Sequence, residues 1–139
     1  MAMVLIMANL IIAEAGFGQT TINSGTTTNA SAITAGNTIT INAGGTLNMD
    51  VAKTFASITT ANTGTSTISG ASLLTVTGAV TIDGANTLAL NTSCNASSLA
   101  TTNLNNNTAG ISGTGILTLT NDITINKKNG HNDGTCNIV

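Results

Sequence analysis

Few residues in this chain could do acid–base or nucleophilic chemistry. The acids are Glu14, Asp50, Asp83, Asp122 and Asp133, the cations are Lys53, Lys127 and Lys128, and arginine is absent. On the repeat face, only Asp83 and Asp122 offer the carboxylate pair that sugar-bond cleavage needs. His131 is the single histidine. A single histidine rules out a His-based catalytic pair and argues against a zinc site. Asn129, His131, Asp133 and Gly134 are spaced somewhat like a Ca²⁺ loop. The acidic first ligand is missing, and no bidentate glutamate follows. No catalytic, metal or cofactor residue is assigned, and the expectation is a protein without enzymatic activity.

Cys94 and Cys136 lie about one two-coil repeat apart. Regular stacking would separate them by ~9–10 Å, beyond the ~7 Å Cα limit for a disulfide. A Cys94–Cys136 bond would therefore need the C-terminal tail to fold back. Neither thiol has a base nearby in sequence to make it a nucleophile.

Threonine in rows is what the chain offers instead. Thr-x-Thr occurs at Thr38/Thr40, Thr75/Thr77 and Thr118/Thr120. Repeat alignment adds the rows Thr34/Thr75/Thr118, Thr40/Thr81/Thr124 and Thr77/Thr120. The preferred reading is β-propensity with cross-strand Thr–Thr pairing on a soluble face. The alternative is a flat lattice of hydroxyls and methyls that orders water and binds ice. In that short pattern the chain resembles Thr-x-Thr antifreeze solenoids. Ala79 and Asp122 interrupt one of the columns.

These rows depend on a repeat. ISGASLLTVTGAVTID (68–83) recurs as ISGTGILTLTNDITIN (111–126), and NTITINAGGTLNM (37–49) matches GAVTIDGANTLAL (78–90). Self-similarity at such a period marks a stacked architecture. Within each copy the period is two: Leu74, Val76, Val80 and Ile82 interleave with Thr75, Thr77, Ala79 and Thr81, the mark of a strand with one buried face. Each unit fits two coils of roughly 20 residues, with 51–62 aligned loosely on 92–103. The predicted fold is all-β, a parallel β-helix or β-solenoid of about five coils, roughly 20–25 Å tall at ~4.8 Å per strand. Asn42, Asp83 and Asn126 end equivalent strands and are expected to form a polar turn column, satisfying backbone groups locally.

The organisation follows from the pattern. Residues 1–18 are an apolar segment, read either as a secretory signal or as a cap or docking element. No Lys or Arg precedes Lys53, and Asn9 interrupts an apolar run too short for a membrane span. Residues 19–126 are the solenoid, and 127–139 a polar capping tail. The charged fraction is 6%, aromatics are 1%, and net charge is −2. That leaves no basic patch or stacking platform for nucleic acid. The apolar content of 41% with ordered alternation argues against disorder. Open solenoid ends expose unpaired strand edges, so the expected partner is a second copy, stacked end to end.

Strings such as ITAGNTITINAGGTLNMD and ISGTGILTLTNDITIN resemble the passenger repeats of bacterial surface adhesins of the filamentous-haemagglutinin and autotransporter type. The resemblance spans roughly residues 20–126 and is one of composition and period. It implies a right-handed parallel β-helix, export, and a place at the cell surface or in an extracellular filament.

Overall fold

The computed structural model describes residues 17–104, 108–127 and 135–138. Most of the apolar segment 1–18 and the His131 loop lie outside them. Wherever apolar residues alternate with Thr, Ser or Asn, the chain is extended. β1 (Gln19–Ile22) and β2 (Thr27–Asn29) precede a single 3-10 turn, Ala30–Ala32. β3 (Thr38–Asn42), β4 (Thr46–Met49), β5 (Lys53–Phe55), β6 (Ser57–Ala61) and β7 (Gly64–Gly70) follow. Next come the long β8 (Leu74–Asp83), β9 (Asn86–Leu90) and the long β10 (Cys94–Leu104). β11 (Thr108–Ser112), β12 (Leu117–Leu119), β13 (Ile123–Lys127) and β14 (Thr135–Ile138) complete the described chain.

Every strand pairs in parallel with the strand one coil away, and successive coils are about 21 residues apart over about five turns. The fold is thus the expected β-solenoid. It has three faces. β2, β4, β7, β9, β11 and β14 stack as one sheet. The second sheet bends into two arms. β5, the first half of β8, the first half of β10, and β12 form the short arm. β1, β3, β6, the second halves of β8 and β10, and β13 form the long arm. At the bend, Gly78 N–H donates to Ala56 C=O at 2.8 Å, and a Cβ on Gly78 would sit 2.7 Å from that oxygen.

Alternation places the core between the three faces. On the long arm one inward row runs Ile39–Ile58–Val80–Leu99, continued by Ile123. The next runs Ile41–Thr60–Ile82–Thr101–Ile125. Ile39, Ile41, Ile58, Val80, Ile82 and Leu99 are all buried. No coil can bury its apolar face alone, so stability comes from coil on coil.

The first and last described coils differ in exposure. In the first coil Ile22, Ala30 and Ile33 are 1%, 0% and 4% exposed. Lys53 ties the 3-10 turn of the first coil to the second coil. It occupies the short-arm position taken by Leu74, Cys94 and Leu117 in later coils. From there its ammonium donates to Ala30 C=O at 2.8 Å, and also to the carbonyls of Ser31 and Ile33. Asp50 binds the other side of that turn, accepting from Ser31 Oγ at 2.5 Å and from Ser31 N–H at 3.0 Å. In the last coil, Ile123 and Ile125 are 48% and 50% exposed although they continue the inward rows.

One boundary is corrected. The solenoid does not stop at 126, because Thr135–Ile138 adds a last parallel strand to β11, placing Ile138 opposite Ile111. The motif Thr-Cys-Asn-Ile still has the period of two, and the polar loop before it had masked that.

Candidate functional site

The eight candidate threonines divide between the two arms. Thr38, Thr40, Thr81 and Thr124 lie on the long arm. Thr75 and Thr118 lie on the short arm, with Thr77 and Thr120 at its bend edge. They therefore do not make one face.

On the long arm, register builds an outward ladder on adjacent strands: Thr21, Thr40, Thr59 and Thr81, then Ala100, then Thr124. Beside it runs a second row, Gln19, Thr38 and Ser57, with Ala79 and Ser98 further along. Rungs are ~4.8 Å apart, and the two rows ~6.6 Å apart along each strand. Within the described structure, the hydroxyls of Thr21, Thr40, Thr59, Thr81 and Thr124 form no protein hydrogen bond. They are left to whatever meets the face.

On the short arm the corresponding row is Thr54, Thr75, Asn95 and Thr118. Near the bend an open groove is lined by Thr75, Thr77, Asn95, Ser97 and Thr120, with buried Val76 and Ala96 beneath. Several of its polar groups are already engaged. Thr77 Oγ1 donates to Phe55 C=O at 3.4 Å, Thr120 Oγ1 to Ser97 C=O at 3.5 Å, and Asn121 Nδ2 to Ser97 Oγ at 2.8 Å. The hydroxyl lattice belongs to the long arm alone.

Two of its rungs, Thr21 and Thr59, escape a reading built on the repeat of 41–43 residues, which skips every other coil. The signal was present at the shorter offset: QTTIN (19–23), TITIN (38–42) and SITTA (57–61) align directly.

Polar side chains bond between neighbouring coils at the turn holding Asn42 and Asp83. Asn42 Nδ2 donates to Asn23 Oδ1 at 3.2 Å, and Asn62 Nδ2 to Asn42 Oδ1 at 3.1 Å. Further along, Thr102 Oγ1 donates to Asp83 Oδ1 at 2.8 Å. Asn42 and Asp83 lie at equivalent strand ends, with Asn62 in the coil between them. Asn62 has a φ of +69°, a left-handed conformation that asparagine tolerates better than most residues. Asn126 follows Ile125 on β13; its side chain lies outside the described residues.

Asp83 and Asp122 are not brought together. Asp83 pairs with Thr102, whereas Asp122 precedes Ile123, the partner of Leu99. Two strands and about four residue steps separate them by on the order of 15 Å. Paired glycosidase carboxylates sit ~5–9.5 Å apart. Cys94 carries a free, buried thiol, so the disulfide considered for it is not formed. Its strand belongs to the two-armed sheet, while Cys136 lies on β14 in the other sheet. Desolvation pushes the Cys94 thiol up to about 12, which makes it a poor nucleophile. Among the described residues, no three of His, Cys, Asp and Glu gather as a metal site would require, and no helix is long and apolar enough to cross a membrane.

Comparison with known protein families, curated proteins and solved structures returns no match.

Proposed function

We propose that this chain is a non-enzymatic, exported structural protein, a rod that works at a cell surface or in an extracellular fibre and associates end to end with its own copies. The observation that carries this reading is the last described coil. There, Ile123 and Ile125 continue buried rows yet stand half exposed, and among the described residues β13 pairs with β10 alone. Burying them would recover roughly 25 cal/mol per Å² of apolar surface. The separation of Asp83 from Asp122, the buried thiol of Cys94 and the resemblance to adhesin passenger repeats support the same reading. Light scattering with electron microscopy of the purified protein tests it. Association into longer rods or filaments as concentration rises is expected; dispersed single rods at the highest attainable concentration would count against it.

A second reading concerns the long arm. Its ladder of unengaged threonine hydroxyls, with methyls beside them, is suited to ordering water, and ice is the ligand that such a lattice would meet. Thermal hysteresis decides this. Wild type would show it and Thr40→Tyr with Thr59→Tyr would lose it; no hysteresis in wild type ends the reading.

A further inference from the structure

We infer that the outer face of the short arm is a lateral contact for a second copy of this chain, lying alongside with its rod axis reversed. This contact is separate from the end-to-end association proposed above and uses other residues. Four adjacent strands each carry one outward residue where the arm begins, in the stacking order Ala52, Leu73, Ser93, Ile116. Backbone bonds from Lys53 N–H to Leu73 C=O, from Leu74 N–H to Ser93 C=O and from Cys94 N–H to Ile116 C=O hold that order. All four are exposed, Leu73 by 42% and Ile116 by 67%. Val51, which flanks Ala52, is 40% exposed. Apolar side chains gathered on one corner, unlike ones scattered singly, mark an interaction surface. The next outward row is Thr54, Thr75, Asn95 and Thr118, so neither row carries a charge. The ammonium of Lys53, between the rows, is turned to the carbonyls of the 3-10 turn. An uncharged face has nothing to steer an ionic partner and no repulsion for its own copy.

Side-chain size in the first row selects the partner. Along the rod it alternates small, large, small, large. A twofold axis that lies in the contact plane and runs along the strands reverses the order of the coils and sets each row against itself. Centred between Leu73 and Ser93, it seats Leu73 over the partner's Ser93 and Ile116 over the partner's Ala52. Every large side chain then meets a small one, which is how packed sheet faces interdigitate. In the second row the same axis sets Thr75 against the partner's Asn95, whose amide can donate to the hydroxyl. A twofold parallel to the rod would instead press Leu73 on its own copy and leave the two Ser93 side chains facing across a gap, with contact forfeited there. Four strands by about five residues cover roughly 300 Å² per copy, under half the ~800 Å² per partner of a standard interface. The pair is therefore weak, formed at high protein concentration or between rods already held side by side.

The experiment is light scattering of the full chain as concentration is raised, in an Ile123→Asp, Ile125→Asp background that removes the proposed end contact. Circular dichroism and thermal melting check that each variant is folded. The background protein should shift from monomer to dimer mass and stop there, because a twofold contact closes on itself. Ser93→Leu fills the hole that receives Leu73. It should weaken the dimer about tenfold or more, although it adds apolar surface. Ser93→Leu combined with Leu73→Ser exchanges knob and hole and should restore the dimer. Tighter association on Ser93→Leu alone would overturn the reversed fit, as would failure of the exchange to rescue. A background protein that stays monomeric at every concentration while wild type forms long rods would overturn the lateral contact and leave end-to-end association standing. Wild type and background both stopping at the dimer would uphold the lateral contact and overturn end-to-end association.

Discussion

Thr60→Val and Thr101→Val should each stabilise the protein. Both threonines are fully buried, in an inward row where isoleucines occupy the other positions: Ile41, Thr60, Ile82, Thr101, Ile125. Neither Oγ1 has a hydrogen-bond partner. A buried hydroxyl without a partner costs about 1–3 kcal/mol. Valine has nearly the same shape and puts a methyl in its place, adding up to ~0.8 kcal/mol of apolar burial. The expected gain is therefore about 1–3 kcal/mol per site. The two sites are two coils apart, ~9–10 Å, and share no contact, so the double substitution should be close to additive. Urea unfolding is the assay: the midpoint should rise at constant m-value, and melting should rise by about 3–5 °C per kcal/mol for a chain of this size. The reverse substitution, Ile82→Thr, would place a third such hydroxyl between them and should destabilise. If Thr60→Val lowers the midpoint, the hydroxyl is satisfied, by an internal water for example, and the reasoning about this row is refuted.

Three further outcomes follow from the corners and the core. Gly113 and Gly70 have φ values of +111° and +113°, and a Cβ there would lie 2.2 Å from Leu90 O and 2.5 Å from Met49 O respectively. Gly113→Ala and Gly70→Ala should each cost at least about 1–3 kcal/mol by urea midpoint. Gly25→Ala, with positive φ but open space, should cost less. The Ser31 hydroxyl, and then the Ser31 N–H, hold the Asp50 carboxyl below its ordinary value. Its stabilisation is then fully present above the unfolded-state pKa and lost as pH falls through the lower folded one, so Asp50→Asn should flatten that acid limb of the midpoint–pH curve. The Cys94 thiol, pushed up to about 12 by burial, should resist alkylation at mildly alkaline pH in the folded protein and react fully in denaturant.

The strands were legible in the sequence because their signal is local. Leu74, Val76, Val80 and Ile82 alternate across ten residues, and all four are buried where that alternation puts them. The bend at Gly78 leaves the alternation intact on either side, which is why two arms read as one strand. The grouping of the threonines was not legible. Thr77 and Thr120 look identical to Thr40 and Thr81 in sequence, but the bend brings carbonyls of Phe55 and Ser97 within their reach. Lys53 is the sharper case. A lysine at the start of a strand reads as a solvated charge. Here the chain one coil earlier is a 3-10 turn, and its carbonyls, with that of Ile33 just after it, give that ammonium three partners.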